Sequence, residues 1–101
     1  MGGKLGIYVT SDQHLDKLIK LCRAAKKKDV EMLIFLTHLG TRLTKDPRFK
    51  ELTSISNLAL CSVAFESNDL QRPVEGLDEK GFASQAWHDE MIRDCDRYLS
   101  F

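Results

Sequence analysis

"VEMLIFLT", residues 30 to 37, is the stretch that decides the fold of this chain. After Glu31 it is apolar without interruption until Thr37. Such a run is typical of a central strand in a parallel sheet, because helices cover both faces of that strand and neither face needs polar side chains. We therefore expect a strand here, with neighbouring strands on both sides and helices above and below.

The residues before this stretch predict a second strand and a helix. "KLGIYVT", residues 4 to 10, is apolar and partly β-branched, and it stops at Ser11 and Asp12, which favour helix starts and are expected to act as caps. From Gln13 to Lys28 apolar residues recur at helical spacing. Strand, helix and strand in this order predict a βαβ unit with parallel strands. The apolar positions of the helix are Leu15, Leu18, Ile19, Cys22 and Ala25.

The remaining sequence continues the same alternation. "ISNLALCSV", residues 55 to 63, predicts a third strand, and "RYLSF", residues 97 to 101, a short final one. Between the second and third strands, Pro47 limits the chain to a turn and a short helix over Phe49 to Leu52. "SQAWHDEMIRDC", residues 84 to 95, predicts a helix capped by Ser84. The intervening residues predict a polar turn or short helix, "FESNDLQ" (65 to 71), and a loop, "RPVEGLDEKG" (72 to 81).

This alternation predicts an α/β three-layer sandwich with a mostly parallel sheet. The chain has 101 residues, which suits one domain over residues 1–101. Fifteen basic residues balance fifteen acidic ones, so no overall basic charge favours nucleic acid or an anionic membrane as a partner. No apolar run approaches a membrane span, and "MGGKLG" lacks a signal-sequence pattern. The three cysteines are widely separated, which argues against a disulfide framework and favours a cytoplasmic location.

The carboxyl ends of the predicted strands are where a site is expected, since parallel sheets bind ligands there. Three segments meet at that edge: Thr10 to Gln13, Thr37 to Thr41, and the turn after Cys61. Cys61 is either a reactive thiol at the site or a buried small side chain, and both interpretations stay open. His38 comes within reach of Cys61 if their strands are neighbours, as a base or as an imidazolium that stabilises the thiolate. The alternative is a loop histidine hydrogen-bonded to backbone.

The other chemically active side chains are interpreted as structural. Cys22 falls on the apolar stripe of the first helix, and Cys95 on the stripe that Trp87 and Met91 form on the last helix, so core packing is favoured for both. Cys95 also lies near the chain end, so exposure stays open as its alternative. A metal site made by His14, His38 and Cys61 has no supporting ligand spacing, so none is predicted.

The order "KLGIYVTS", amphipathic helix, "VEMLIFLTHLGTRLTKDP", "NLALCSVAFESNDL" and "DRYLSF" resembles the DsrE/DsrF-like family of small sulfur-relay and related proteins. The resemblance covers nearly the whole chain. Its most specific parts are "IFLTHLG", residues 34 to 40, and the strand-borne Cys61 followed by a polar turn.

The resemblance implies a DsrE-like sandwich of flavodoxin-like topology, assembled into homo- or hetero-oligomers such as trimers or hexamers. It also implies that Cys61 takes sulfur from a donor persulfide, holds it as Cys61–S–SH and passes it to an acceptor protein, without metal or organic cofactor. Ser11, Asp12, His38 and Asn68 would then form the binding pocket.

Two other functions are compatible with the sequence. The first is a non-enzymatic oligomeric module that binds or assembles partners, with Cys61 merely buried. The second is a redox-sensing thiol, in which Cys61 forms a disulfide with Cys22 or Cys95.

Overall fold

The computed structural model describes residues 3–101. Within that range five strands form one all-parallel sheet with helices on both faces, which confirms the predicted α/β sandwich. The strands are β1 (Gly3–Val9), β2 (Val30–Leu36), β3 (Asn57–Cys61), β4 (Phe82–Ala83) and β5 (Arg97–Ser100). The helices are α1 (Leu15–Lys27), α2 (Phe49–Ile55), α3 (Ser62–Ser67) and α4 (Gln85–Asp94), with 3-10 helices at His38–Lys45 and Glu79–Gly81.

The strand order is β4-β3-β2-β1-β5, which places "VEMLIFLT" at the centre as predicted. The flavodoxin-like order is 2-1-3-4-5, so that detail of the expectation is wrong. Here the chain steps in one direction from β1 to β4 and then returns to the far side of β1. Right-handed crossovers in one direction keep their helices on one face, and the reversal puts α4 on the other. The direction of each crossover leaves no trace in hydrophobic periodicity, which is why the sequence did not reveal the order.

The larger core lies between the sheet and helices α1 and α2. The predicted apolar stripe of α1 is buried there, which confirms it. Phe49 and Leu52 of α2 are also buried against this face of the sheet. The strand residues that face these helices alternate along β1, β2 and β3, and they are Ile7, Val9, Met32, Ile34, Leu36, Leu58 and Leu60.

The opposite face of the sheet, called the α4 face below, carries a smaller core. Leu33, Phe35, Ala59 and Cys61 are buried there together with Met91 of α4. The Oγ of the residue before α4, the predicted cap Ser84, accepts a hydrogen bond from a backbone N–H of the first turn at 3.2 Å, which confirms the cap. Since Met91 is the buried residue of α4, this face is covered more thinly than the other.

Two elements differ from the sequence prediction. The third strand ends at Cys61, and Ser62 already begins α3, so the predicted strand over residues 55 to 63 is too long at both ends. α3 forms because it buries Phe65 in the larger core, a tertiary contact that overrides the strand-like composition of this segment. The two-residue strand β4 was not predicted, because it is too short to show alternation.

Gly40 is predicted to be intolerant of a side chain. A Cβ added there would overlap the carbonyl oxygen of Val9, which is backbone and cannot rotate away. We expect Gly40→Ala to lower the free energy of unfolding by about 1–3 kcal/mol, measured by urea denaturation. In the control Gly3→Ala, the nearest atom is Oδ2 of Asp96 at 3.2 Å, the end of a flexible side chain, and a smaller loss is expected. Equal losses in both variants would contradict this reading of Gly40.

Candidate functional site

Cys61 lies at the carboxyl edge of the sheet, where the strand-end rule places a site. It is the last residue of β3 and the residue before α3, and its side chain faces the α4 face. The β2–β3 register pairs Leu36 with Leu60 and, extended by one residue, brings Thr37 beside Cys61. Ala83 of β4 is its partner on the other side. The residue is only 9% exposed, so it is largely covered.

His38 follows β2, and β2 is the neighbour of β3, which meets the condition set for an approach to Cys61. Its backbone is left-handed, with φ 51°, and its side chain is exposed. Within residues 3–101 no hydrogen bond joins the imidazole to Cys61. The structure therefore brings the two residues to the same edge, and a catalytic role of His38 stays a prediction.

Asn68 lies directly after α3 and bonds to the segment that follows β2. Its Nδ2 donates to the carbonyl oxygen of His38 and to Oγ1 of Thr41, both at 2.8 Å. The amide N–H groups of this predicted binding residue are thus engaged within the protein, and they tie the two segments beside Cys61 to each other.

Ser11 and Asp12 follow β1, which β2 separates from β3 in the sheet. α1 begins at Leu15 without a side-chain cap, so the expectation that these two residues cap it is wrong. The Oγ of Ser11 instead accepts from the backbone N–H of Gln13 at 3.2 Å, in a turn before the helix. Asp12 lines a cavity of about 490 Å³ together with Arg42, whose Nη1 lies 3.9 Å from Oδ2 of Asp12.

This cavity and the Cys61 thiol belong to different faces of the sheet. Leu15 and Leu43 line the cavity and pack in the larger core, whereas Cys61 packs in the smaller one. Ser11, Asp12 and His38 thus all follow strand ends at the carboxyl edge of the sheet, and Asn68 bonds to the segment after β2. The Asp12 cavity and the Cys61 thiol nevertheless lie on opposite faces.

The other two cysteines are placed too far from Cys61 to pair with it. Cys22 is buried in the larger core, on the opposite side of the sheet. The Sγ of Cys95 lies against Gly6 of β1. Gly6 pairs with Leu33 of β2, and Leu33 pairs with Asn57 of β3, which comes four residues before Cys61. Gly6 and Cys61 are therefore separated by about 13 Å along the strands and about 10 Å across them. A disulfide requires Cα atoms about 4.4–6.8 Å apart. The fold thus disfavours the redox-sensing alternative.

A cluster of aromatic rings on the α4 face was not predicted from the sequence. The ring of His88 stacks on Tyr8 at a centroid distance of 4.1 Å and packs against Phe35 at 5.6 Å. Its Nε2 lies 2.7 Å from the hydroxyl of Tyr98. Burial lowers the pKa of His88, and the nearby charge of Asp89 opposes that shift. A sequence signal existed, since Tyr8 and Phe35 alternate with residues of the larger core, but the register was needed to bring them together.

No group of three or more His, Cys, Asp or Glu side chains between Gly3 and Phe101 is placed to share a metal ion. Across the same residues, none of the helices has the length and apolar character needed to cross a bilayer. A scan against models of protein families and searches of curated proteins and of solved structures found no match. The resemblance to the DsrE/DsrF-like family therefore rests on the residues quoted above.

Cys22 is predicted to be the least reactive cysteine in the native state. Burial raises the pKa of its thiol from 9.0 to about 11, and each pKa unit lowers the thiolate fraction about tenfold at neutral pH. We expect iodoacetamide to label native Cys22 at least about a hundredfold more slowly than unfolded Cys22, followed by mass mapping. In urea the three cysteines should react alike. Labelling of native Cys22 at the rate of the partly exposed Cys95 would contradict this.

His88 is predicted to make stability depend on pH. Because its pKa is lowered in the folded state, the unfolded state binds a proton more readily, and the free energy of unfolding falls as pH drops below about 6.5. His88→Phe keeps an aromatic ring in the stack but does not titrate. We expect the variant to show a smaller loss of stability than the parent between about pH 7.5 and pH 5.5, measured by urea denaturation. The same slope in both proteins would contradict the prediction.

Proposed function

We propose that this chain is a sulfur-relay protein of the DsrE/DsrF-like type, in which Cys61 carries persulfide sulfur. The observation that supports the proposal is the position of Cys61. Of the three cysteines it alone lies at the carboxyl edge of the parallel sheet, where the residue is 9% exposed. Thiols that exchange sulfur must be reached by a second sulfur atom, so an edge position is a requirement of the chemistry.

The proposed relay conserves atoms and charge. The Cys61 thiolate attacks the outer sulfur of a donor persulfide, R–S–SH, and the donor S–S bond breaks as R–S⁻ leaves. Cys61–S–SH is formed, and the acceptor thiolate then attacks its outer sulfur and regenerates the Cys61 thiolate. No external oxidant, metal or organic cofactor enters either step.

Apolar side chains near Cys61 and on β5 suit contact with other proteins. Val63 is 71% exposed and lies two residues after Cys61, and Leu39 follows His38 with 45% exposure. Ile92, Tyr98 and Leu99 are exposed on α4 and β5. We include in the proposal that donor and acceptor are proteins and that the chain forms a homo-oligomer, a trimer or a hexamer.

The same observations favour a second candidate function, a non-enzymatic module that binds or assembles partners. A thiol with 9% exposure is also what a purely structural cysteine shows, since small apolar side chains pack well at this position between Thr37 and Ala83. In this alternative the exposed apolar residues mediate assembly, and Cys61 has no chemistry.

Persulfide loading separates these functions. The purified protein is incubated with a persulfide donor, and intact mass followed by peptide mapping locates any added sulfur. We expect one sulfur atom on Cys61, removable by reductant or cyanide, because the edge position admits a donor. Cys61→Ser should lose the added mass, and the matched variant Cys95→Ser should keep it. A Cys61→Ser protein that loads as well as the parent would exclude the relay. A parent that does not load, with Cys61 alkylated as slowly as Cys22, would favour the assembly module.

A further inference from the structure

β5 forms one edge of the sheet and is exposed along its whole length. It stands at the end of the strand order, so within residues 3–101 no strand pairs with its outer side. All of its residues are exposed, including Tyr98 at 41% and Leu99 at 42%. Proteins usually protect such an edge by shortening the strand or by adding proline or lysine. The opposite edge, β4, has only two residues, whereas β5 has four and carries a single charge, on Arg97, so β5 is the edge that is open to another strand.

The hydrogen bonds at the end of β5 show which of its backbone groups face outward. The N–H of Phe101 donates to the carbonyl oxygen of Tyr8, and the carbonyl oxygen of Phe101 accepts from the N–H of Thr10, both at 2.8 Å. In a parallel ladder the residues of a strand alternate between facing the neighbouring strand and facing away from it. Since Phe101 faces β1, the N–H and C=O groups of Tyr98 and Ser100 point to the open side.

An antiparallel copy of β5 engages all of these outward groups in one register. When Leu99 lies opposite Leu99 of a second copy, Tyr98 of each copy lies opposite Ser100 of the other, and each such pair exchanges both N–H···O bonds. A register centred on Tyr98 would instead place Ser100 opposite Asp96. The N–H of Asp96 is not free for that pair, because it donates to the carbonyl oxygen of Lys4 at 2.9 Å. The edge is therefore complementary to itself in the register centred on Leu99.

The side chains that meet in this register also suit each other. Leu99 pairs with Ile7, which is buried in the larger core, so the Leu99 side chain points to that face and packs against Leu99 of the second copy. On the same face Arg97 comes opposite Phe101 of the second copy. That places a cation beside an aromatic ring and keeps the two arginines apart, since like charges directly opposite each other destabilise a strand pair.

We infer that the chain forms a two-fold dimer by antiparallel pairing of β5 with β5 of a second copy, which joins two five-stranded sheets into one. A second copy is the occupant, because the outward groups of β5 and the charge along it match those of the same strand turned around. The inference deepens and rests on the homo-oligomer part of the proposed function, and it uses no chemistry of Cys61. A two-fold pair is a unit of a hexamer but not of a trimer, so it also selects between those two assemblies.

The first test is sedimentation equilibrium of the full chain from about 1 to about 500 µM. A pair of four-residue strands is small beside the roughly 1,200–2,000 Å² that a standard interface buries, so we expect a weak dimer with a Kd of about 10–100 µM. The mean mass should rise with concentration from 11.5 kDa toward twice that value.

Ser100→Pro tests the backbone pairing. It removes an outward N–H and places a ring on the open edge, while the hydrogen bonds to β1 remain, because edge strands tolerate proline where the N–H faces solvent. We expect the Kd to rise at least about tenfold. Ser100→Ala keeps the N–H and is the matched control, with the Kd of the parent. Continued protection of Cys22 from iodoacetamide shows that the fold is intact in each variant.

A charge swap at Leu99 tests the register. Leu99→Lys and Leu99→Glu each place like charges opposite each other on the two-fold axis, so each variant alone should be monomeric. An equimolar mixture of the two places lysine opposite glutamate, and we expect it to associate at least about tenfold more tightly than either variant alone.

Three results would overturn the inference: a parent that stays monomeric at about 500 µM or forms only a trimer, a Ser100→Pro variant that dimerises as tightly as the parent, and a mixture that associates no better than its components. If Ser100→Pro exposes Cys22 to alkylation, its fold has changed and the charge-swapped mixture decides. Persulfide loading is scored separately. A monomeric parent that loads Cys61 removes the dimer and leaves the sulfur relay, and a dimer that never loads does the reverse.

Discussion

The burial of β2 on both faces is the constraint from which the rest of the structure follows. β2 pairs with β1 along its whole length and with β3 over its second half, so its backbone groups are satisfied by neighbouring strands. Its side chains from Met32 to Leu36 are all buried, and they point alternately to the two faces. Helices must therefore lie on both sides of the sheet, which only crossover connections between parallel strands provide.

The two faces of the sheet are covered to different extents, and the three cysteines differ in which cover lies over them. α1 and α2 pack a continuous apolar layer on one face, and Cys22 is sealed within it. The α4 face is covered over a smaller area, by one buried methionine and a stack of aromatic rings. Cys61 lies on this thinner side, at the last position of β3, where the residue is 9% exposed.

Much of the candidate site was predictable because it depends on where strands end. The apolar runs located the carboxyl end of β2 to within one residue and that of β3 to within two, and parallel pairing then brought Cys61 and the segment of His38 to one edge. The hydrogen bonds of Asn68 to the segment after β2 were not predictable. Asn68 bonds to His38 only because the chain after β2 makes a 3-10 helix with a left-handed first residue. Nor was it predictable that Asp12 would line a cavity on the larger-core side while the Cys61 thiol points to the α4 face.

By itself the sequence determined the class of fold, the apolar stripe of α1, the cap of α4 and the strand that bears Cys61. These features depend on periodicity and on local backbone preferences, which a short stretch of sequence is enough to show. Only the tertiary structure decided the strand order, the face to which Cys61 points, its separation from Cys22 and Cys95, and the hydrogen bonds of Asn68. Each of these depends on the direction of a crossover or on contacts between residues far apart in sequence, and neither leaves a local pattern to read.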